Sequence, residues 1–519
     1  MKRNRRGTKG KRAWEGRKVR PFGGEMAESA RMILLKQGVE LLLEHLEEQH
    51  RGTGRVGRRE TPEKMASRIH ATAEHLHLED LQEPCDASML LDVCRVVLDT
   101  NPKSGHPLFF NQLYGKPDEV GVLGDWLVVA ANAHVHTYEA APAFVVVEKE
   151  ILDKLARTIG GEYEKEHDGL FVPGGSMGNF YGMLVARHHA HPNVRKTGLH
   201  GGPALVAFSS EQSHYSYTKA AAVLGIGTDN MIPVKCDEYG SMVPEELDKA
   251  VVRAQQEGKQ PFFVGATAGT TVTGAYDPLL PLHKICKKHN LWMHVDGVWG
   301  GPVLLSRRHR HLMAGAEHAD SIAWCAHKLL GAPTQCAAFI TKHGNHLLPC
   351  NASAASYLFQ PEKCGAAFDP GDKSFMCGRR ADMFKLWLMW KHVGDLGMEK
   401  IVDDTISMAA AFEELILGSE GKFQLVQPRT YANVCFWYIP RSLRPFRIEN
   451  ASAADMEQIG SVTSLLKGKL HEAGDAMINY QSMDGVPNFF RIVFRSHCHL
   501  DIQDLEQMLE RMDSMGETL

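Results

Sequence analysis

Short apolar runs alternate with amphipathic stretches between about residues 150 and 345. Apolar runs of roughly four to eight residues predict strands, and apolar residues that recur at helical spacing predict helices. Strands and helices that take turns in this way indicate a parallel sheet covered on both faces. The predicted strands are Ala204–Ser209, Met231–Lys235, Phe262–Ala268, Leu291–Asp296, Ser321–Cys325 and Ala337–Thr341, and the predicted helices cover residues 177–190, 216–225, 244–257 and 279–289.

Helical periodicity also dominates both ends of the chain. Met32, Leu35 and Val39 recur at helical spacing, and a second helix is predicted over residues 86–99. After residue 395, further helical patterns precede two strand-like runs, Tyr431–Ile439 and Phe489–Phe494. We therefore predict four segments: a basic tail (1–26), a helical segment (27–149), a large α/β domain (150–394) and a small α+β domain (395–519).

Composition and charge narrow the class of protein. Of 519 residues, 44% are apolar and 23% are charged, as in ordinary globular proteins, and no stretch approaches the roughly 18 apolar residues of a membrane span. Residues 1–20 hold ten Lys/Arg and one Glu, a net charge of +9, so the other 499 residues carry −13. The acidic body argues against nucleic-acid binding, while the basic tail is typical of a solvated extension or of a nuclear or RNA-binding arm.

The cysteines indicate neither disulfides nor zinc. Eleven Cys are present and none forms a C-x-x-C pair. A reducing compartment is therefore expected, most simply the cytoplasm. His188, His189 and His191 stand close together but lack the partner spacing of a metal site, so no metal is predicted.

Two glycine-containing turns follow predicted apolar runs. Gly174-Gly175-Ser176 comes directly after Leu170-Phe171-Val172, and Gly269-Thr270-Thr271 follows the strand Phe262–Ala268. Glycines and a hydroxyl at the start of a helix can bind a phosphate through free backbone amides. Each sequence alone is also typical of an ordinary turn.

Three ionisable residues follow other strands. Asp296 ends one strand, His327-Lys328 ends the next, and His214 follows the strand Ala204–Ser209. In open α/β sheets these carboxyl ends face the ligand crevice. Taken singly, Asp296 could be a helix cap and Lys328 a surface residue. Together with the two turns they match the requirements of pyridoxal 5′-phosphate: an imine-forming Lys, an acid for the ring nitrogen and a phosphate cradle.

At this point the chain resembles the group II pyridoxal-phosphate amino-acid decarboxylases, within them the acidic branch of glutamate, cysteine sulfinate and aspartate decarboxylases. The resemblance runs from about residue 86 to the C-terminus. The matching motifs are Phe109-Phe110-Asn111-Gln112-Leu113, Thr137-Tyr138-Glu139, Pro173-Gly174-Gly175-Ser176, His214-Tyr215-Ser216, Gly269-Thr270-Thr271, His294-Val295-Asp296, Trp299-Gly300-Gly301, His327-Lys328, Ser356-Tyr357-Leu358-Phe359-Gln360, Gly371-Asp372-Lys373 and Asn488-Phe489-Phe490-Arg491. It implies a fold-type-I (aspartate aminotransferase-like) homodimer with the active site at the subunit interface, in which residues 27–149 contribute to dimerisation.

The resemblance also implies roles for particular residues. Lys328 would bind the cofactor covalently, Asp296 would pair with its ring nitrogen and His214 would stack on the ring. The implied cofactor contacts are Gly175, Ser176, His214, Thr271, Asp296, His327 and Lys328. The implied substrate contacts are Gln112, Tyr114, His136 and Arg491, with Arg491 on the α-carboxylate.

Two of these positions bear on the substrate. Glutamate decarboxylases have Ser where this chain has Tyr114, and a large ring there shortens the pocket. His136 stands where the family has Phe or Tyr, and its imidazole could bind a carboxylate or sulfinate or could simply stack on Tyr114. We expect α-decarboxylation of aspartate to β-alanine and of cysteine sulfinate to hypotaurine, with glutamate decarboxylation as an alternative.

The chain departs from the family at two places. Cys325-Ala326 replaces the usual Asn-Pro before His327-Lys328, and Cys is a poor substitute for the Asn that helps to hold the phosphate. The loop 361–373 lacks the Tyr that protonates the substrate Cα, and Phe368 has the ring without the hydroxyl. Three outcomes stay open: protonation by His214 or water, an aldehyde-forming reaction, or an inactive homologue that acts by binding.

Overall fold

The computed structural model describes residues 25–52, 54–72, 87–496 and 500–519. The predicted basic tail (1–26) therefore lies almost wholly outside the described residues. The chain divides into a small unit, formed by residues up to Glu47 together with Glu60–Asn101, and a large unit, formed by Glu48–Arg59 and Pro102–Leu519. The helices at the start of the chain are α1 (Glu25–Arg51), α2 (Pro62–Thr72) and α3 (Ala87–Thr100).

A seven-stranded sheet forms the centre of the large unit, in the order β1-β7-β6-β5-β4-β2-β3. The five adjacent strands β6, β5, β4, β2 and β3 run parallel to one another. Strand β7 is antiparallel to both of its neighbours, β6 and β1. The strands are β1 (Asp168–Val172), β2 (Leu205–Ser210), β3 (Met231–Val234), β4 (Gln260–Thr267), β5 (Trp292–Gly297), β6 (Ser321–Cys325) and β7 (Ala337–Thr341). This confirms the predicted mostly parallel α/β sheet; β1 was not predicted as a strand.

Helices cover both faces of this sheet because alternate strand residues point to opposite sides. Leu205 and Ala207 pack in the same apolar cluster as α7 and α9, whereas Val206 and Phe208 belong to the cluster that contains α5, α10 and α11. The helices are α4 (Glu119–Ala131), α5 (Pro142–Ile159), α6 (Glu162–Lys165), α7 (Gly175–Ala190), α8 (Val194–Thr197), α9 (Ser216–Val223), α10 (Pro244–Gln256), α11 (Leu279–His289) and α12 (Leu347–Asn351).

A second, smaller sheet lies in the C-terminal part of the large unit. Its four antiparallel strands follow the order β10-β11-β9-β8. The strands are β8 (Phe423–Leu425), β9 (Asn433–Tyr438), β10 (Asn479–Met483) and β11 (Val486–Val493), and the helices are α13 (Met383–Leu417), α14 (Ala453–Ala473) and α15 (Ile502–Gly516). The sequence predicted β9 and β11 but neither β8 nor β10.

Gly394 interrupts α13 with a backbone φ of +67°. This conformation suits glycine, which lacks the Cβ that penalises positive φ. The interruption falls at the last residue of the predicted α/β domain (150–394), although the four predicted segment boundaries stay predictions. Among the described residues, every helix is too short or too polar to cross a membrane.

Candidate active site

Four neighbouring strands bring the predicted chemical groups to one edge of the large sheet. His214 follows β2, Thr271 follows β4, Asp296 lies near the end of β5 and Lys328 follows β6. These strands are adjacent in the order β6-β5-β4-β2 and run parallel, so their carboxyl ends meet at the same edge. Residues that are 114 positions apart in sequence, His214 and Lys328, thus reach one region.

Lys328 provides an amine with unusual electrostatics. Burial lowers the pKa of Lys328, and the nearby Arg491 lowers it further, while Cys325 and Asp296 act in the opposite direction. Among the described residues its amine makes neither a hydrogen bond nor an ion pair. A lysine with a depressed pKa has a larger fraction of the neutral, nucleophilic amine.

Asp296 is 6% exposed and is held by two donors. Its Oδ1 accepts the backbone N–H of Val298 at 3.1 Å, and its Oδ2 accepts Nδ2 of Asn179 at 2.7 Å. These two hydrogen bonds fix the orientation of the carboxylate. Asn179 lies on α7, which packs against the sheet, and it was not predicted from the sequence because nothing in its local pattern distinguishes it from other polar helix residues.

His214 is half-buried directly after β2. Its Nδ1 lies 2.9 Å from Ser216 Oγ and accepts the backbone N–H of Ser216 at 3.3 Å. Its ring centroid lies 4.2 Å from that of Tyr215. Burial lowers the pKa of His214, and Lys328 and Lys219 lower it further against the opposing effect of Asp296. The neutral imidazole is therefore favoured, with Nδ1 as acceptor.

Both predicted turns begin with a glycine at positive φ, but their backbone amides differ. In the second turn the N–H groups of Gly269 and Thr270 donate to the carbonyl of Ala275, at 3.0 and 2.9 Å, so only the first turn offers amides to an anion. Gly174 has φ +86° and precedes α7, whose first residues are Gly175 and Ser176 and which has no side-chain cap. The amides of a first helical turn have no partner within the helix and can bind an anion. Gly269 has φ +82°, and a Cβ there would lie 2.8 Å from the backbone nitrogen of Gly300.

Arg491 links the second turn to the N-terminal part of the large unit. Its Nη1 donates to the carbonyl of Thr271 at 3.0 Å, and its Nη2 donates to the carbonyl of Asn111 at 3.1 Å. Its Nε is buried and has no hydrogen-bond partner in the described part of the chain. Arg491 therefore stands next to the predicted motif that contains Gln112, with one donor unused.

The other predicted substrate residues are more open. Gln112 is exposed and Tyr114 is 44% exposed. The ring of Tyr114 lies 6.1 Å from Phe109, whereas the ring of His136 lies 6.1 Å from His134. The ring neighbour of Tyr114 is therefore Phe109 and that of His136 is His134, which differs from the stacking of His136 on Tyr114. His136 Nδ1 is buried without a hydrogen-bond partner.

Cys325 and His327 contact each other beside Lys328. Cys325 Sγ lies 3.2 Å from His327 Nδ1, and this nitrogen also lies 2.9 Å from both the backbone nitrogen and the carbonyl oxygen of Cys336. Burial alone would raise the pKa of Cys325, but His327 and Lys328 together lower it below its ordinary value. In this arrangement the thiol that replaces the family's Asn is engaged with His327.

The loop 361–373 is fastened to the segment around His136. Asp369 Oδ1 accepts the backbone N–H of Tyr138 at 2.7 Å, and the carbonyl of His136 accepts the N–H of Gly371 at 2.9 Å. The ring of Phe368 lies 6.1 Å from that of Tyr138. Phe368, which has no hydroxyl, therefore lies next to Tyr138, which has one.

Comparison with known proteins identifies the class. Residues 71–439 match the family model of the pyridoxal-dependent decarboxylase conserved domain. The crystal structure of mouse CSAD (cysteine sulfinic acid decarboxylase) is 38% identical, covers 95% of this chain and 100% of that chain, and superposes with a TM-score of 0.89; its apo form gives 0.88. The fold is shared by a Vibrio parahaemolyticus structure, the glutamate decarboxylase domain of diaminobutyrate-pyruvate transaminase and L-2,4-diaminobutyrate decarboxylase. It is 22% identical, covers 96% of this chain and 97% of that chain, and gives a TM-score of 0.79.

The chain belongs to the pyridoxal-dependent decarboxylase family. It is a carboxy-lyase whose cofactor is pyridoxal 5′-phosphate. This confirms the predicted resemblance to the group II enzymes of the acidic branch and the predicted fold-type-I class.

The residues at the sheet edge fit this cofactor. Lys328 supplies an amine without a partner among the described residues, and the start of α7 supplies uncapped amides for a phosphate. In addition, Ser210 Oγ at the end of β2 and Thr267 Oγ1 at the end of β4 are buried, and neither has a hydrogen-bond partner within the described ranges. Buried hydroxyls normally have partners, so this edge has unused hydrogen-bonding capacity of the kind that a polar cofactor requires.

Proposed function

We propose that the chain catalyses the α-decarboxylation of small acidic amino acids, aspartate to β-alanine and cysteine sulfinate to hypotaurine. The observation that carries this proposal is the 38% identity to mouse CSAD across 95% of the chain, on a site that combines Lys328, Asp296 and Arg491. Tyr114 supports the choice of a short substrate, because a large side chain at that position leaves less room for the longer glutamate.

Pyridoxal 5′-phosphate, when bound, supplies a ring that accepts the electron pair released as CO₂ leaves the substrate Cα. Lys328 would hold the cofactor through its amine, and its depressed pKa favours the nucleophilic form. Asp296 would hold a proton at the ring nitrogen, because Asn179 and the Val298 amide fix its carboxylate in place.

The remaining residues would orient the cofactor and substrate. Gly175 and Ser176 would bind the phosphate through backbone amides, and Thr271 and His327 would contact the cofactor from the adjoining turns. His214 would stack on the ring. A neutral His214 accepts rather than donates at Nδ1, so any proton it delivers to Cα must come from Nε2.

Substrate contacts would come from the segment that Arg491 touches. The unused Nε of Arg491 is a donor for the substrate α-carboxylate, and a guanidinium matches a carboxylate in shape and charge. Gln112 would assist there. His136, with its unpartnered Nδ1, would bind the distal acid group.

A second candidate reaction is the formation of an aldehyde by decarboxylation and oxidation with O₂. The observation that favours it is the loop 361–373, which has Phe368 and no Tyr. General acid catalysis is typically worth about 10²–10⁴-fold, so slow protonation of Cα would leave time for oxygen. Release of ammonia and peroxide would identify this reaction.

We also propose that the protein acts as a homodimer. In the small unit, α1 and α3 line a groove of about 640 Å³ with apolar side chains, among them the exposed Leu35, Leu42, Leu90 and Val97. An exposed apolar surface of this kind is typical of an interface. Light scattering coupled to gel filtration should give a mass near twice 57.6 kDa; a monomer would contradict the proposal.

One experiment tests the proposed reaction. The purified protein, loaded with pyridoxal phosphate, is given equimolar aspartate, cysteine sulfinate and glutamate, and the products are identified by mass spectrometry. β-Alanine and hypotaurine without 4-aminobutyrate would support the proposal. 4-Aminobutyrate as the main product would refute the short pocket, and carbonyl products would favour the second reaction.

A further inference from the structure

The large unit contains two deeply buried arginines that lack an acidic partner. Five Lys or Arg residues are buried among the described residues: Lys116, Arg379, Lys385, Arg491 and Arg495. The first three pair with Glu119, Glu148 and Asp382, respectively. Arg491 and Arg495 are 3% and 2% exposed, and within the described part of the chain they bond only to backbone carbonyls.

A buried charge without a partner of opposite charge destabilises the fold, so a function of these two arginines would explain their presence. Charges in protein interiors are normally paired, because desolvation penalises an isolated ion. Burial lowers the pKa of Arg495 to about 9, so the guanidinium is still protonated at neutral pH. Its Nε is buried without a hydrogen-bond partner among the residues that the structure describes, as is the Nε of Arg491. Both cations therefore have unused capacity for an anion.

Arg495 is built into the segment that holds the predicted substrate residues. Its Nη2 donates to the carbonyl of Phe109, its Nη1 donates to the carbonyl of Val493 at 3.1 Å, and its guanidinium lies 5.1 Å from the ring centroid of Phe109. Gly115, next to Tyr114, leaves the space that the guanidinium occupies, since a Cβ at Gly115 would overlap Arg495 Nε. Glycine at 115 and arginine at 495 are thus sterically matched.

The residue after Arg495 contacts the residue after Lys328. The backbone N–H of the next residue, Ser496, donates to the carbonyl of Leu329 at 3.0 Å, and Leu329 follows Lys328 in the chain. Arg491 and Arg495 lie four positions apart, one on β11 and the other two residues past its end. Together they place two positive charges beside the segment Asn111–Gly115.

We infer that Arg495 is a specificity-determining residue: its buried, unpaired charge makes the site beside Tyr114 select ligands that have a second acidic group. This inference rests on the proposed function and deepens it. Arg491 would serve the α-carboxylate that every amino acid has. Arg495 stabilises the additional negative charge of aspartate or cysteine sulfinate through its electric field and holds the backbone carbonyl of Phe109 in place.

Two non-reactive ligands separate these contributions. Succinate has two carboxylates and butyrate has one, and neither has an amine that reacts with the cofactor. A unit charge that acts over about 10 Å at an effective dielectric constant of about 20 changes the affinity for one further negative charge by roughly tenfold. For Arg495→Met we therefore expect about tenfold weaker succinate binding and unchanged butyrate binding, measured by thermal shift of the holoenzyme and by inhibition.

Steady-state kinetics give a second readout. Arg495→Met should raise KM for aspartate by about tenfold and leave kcat within about threefold, because the field acts on binding. Arg495→Lys, which keeps the charge, should stay within about threefold of the wild type for succinate. Gly115→Ala displaces the guanidinium without removing its charge, and it should also weaken succinate more than butyrate; it replaces Arg495→Met if that variant does not fold.

Arg444 offers a matched control. It also donates to a backbone carbonyl, that of Ile439, and also lies over an aromatic ring, Tyr438, but it is paired with Asp513. Arg444→Met should therefore leave the succinate-to-butyrate ratio unchanged.

The outcomes distinguish this inference from the proposed function. Equal weakening of succinate and butyrate in Arg495→Met, or no weakening of either, would overturn the role of Arg495. A wild-type enzyme that decarboxylates only neutral amino acids would overturn the proposed function as well. Normal turnover of aspartate with an unchanged KM in Arg495→Met would overturn the inference alone.

Discussion

Asn179 donates a hydrogen bond from Nδ2 to Oδ2 of Asp296 over 2.7 Å. A carboxylate can only accept, so the amide must present its nitrogen to Asp296 and its oxygen to His294, whose Nε2 lies 3.0 Å away. The Nδ1 of His294 then accepts from the hydroxyl of Ser321 at 2.8 Å. The four buried side chains therefore form one directed chain that ends on Asp296.

Replacement of Asn179 by Leu tests this chain. The substitution leaves Asp296 Oδ2 and His294 Nε2 buried without their partner, and each unsatisfied group costs about 1–3 kcal/mol. We expect the free energy of unfolding to fall by about 2–6 kcal/mol and the Kd for pyridoxal phosphate to rise at least about tenfold. Urea unfolding and cofactor titration measure the two effects.

Ser216→Ala is the control for that variant. Asn179 Nδ2 also lies 2.9 Å from Ser216 Oγ. This change removes that hydrogen bond and the contact of Ser216 Oγ with His214 Nδ1, and it leaves the bond from Asn179 to Asp296. The Kd for the cofactor should change less than in Asn179→Leu. Equal Kd values in the two variants would show that the contact with Asp296 has no special importance.

His294 should make the fold sensitive to acid. Burial lowers the pKa of His294 to about 4 from an ordinary value of 6.5, so between those pH values the unfolded chain binds a proton that the folded chain does not. Stability therefore falls as the pH drops from about 6.5 through about 4, by at most about 3 kcal/mol for this one group.

The slope of stability against pH measures this effect. As the pH is lowered from about 7 to about 5, the urea midpoint should fall less steeply in His294→Gln than in the wild type. Glutamine supplies an amide donor for Asn179 in place of the imidazole, and it removes the titrating group. His188 and His189 also have pKa values lowered by burial and should retain part of the slope. A variant as acid-sensitive as the wild type would rule out His294 as a contributor.

The central strands could be predicted from the sequence because their local pattern is strong. Both β6 and β7 begin and end where the apolar runs predict. In contrast, β8 has three residues and β10 is only partly buried, so neither has a distinctive run of apolar residues. Their pairing with β9 and β11 decides their conformation, and such pairing is a property of the fold.

The residues of the site also divide into those that the local sequence pattern predicts and those that it does not. Lys328, Asp296 and His214 were predicted because each directly follows or ends an apolar strand. Asn179 and Arg495 were not, since their partners lie far away in the sequence: Asp296 is 117 residues from Asn179, and Phe109 is 386 residues from Arg495. Only the order of the strands and the course of the chain bring such pairs together.

The loop 361–373 should depend more on Asp369 than on Lys363. Asp369 accepts a charge-assisted bond from the Tyr138 backbone, of a kind worth about 1.5–3 kcal/mol. Lys363 pairs with the exposed Glu139 at 2.6 Å, and exposed pairs are typically worth about 0–1 kcal/mol. We expect Asp369→Ala to speed proteolytic cleavage within the loop by about tenfold or more, and Lys363→Ala by less than about threefold.

Limited proteolysis with peptide mapping gives both rates in one experiment. Glu362→Ala, a change within the same loop, is the control for altered recognition by the protease. If Lys363→Ala loosens the loop as much as Asp369→Ala does, the exposed ion pair and not the backbone contact fastens it.

Two properties of Cys325 have opposite effects on its reaction with thiol reagents: its lowered pKa favours the reaction, and its burial hinders it. His327 and Lys328 lower its pKa, which increases the reactive thiolate, but the residue is 0% exposed. Cys364 and Cys377 are exposed. Because a reagent must reach the sulfur before ionisation matters, we expect iodoacetamide to modify Cys364 and Cys377 at least about tenfold faster than Cys325 in the folded protein. Peptide mass spectrometry over time measures the three rates, and urea should bring them together. Modification of Cys325 as fast as Cys364 would mean that the site opens to solvent far more often than its packing implies.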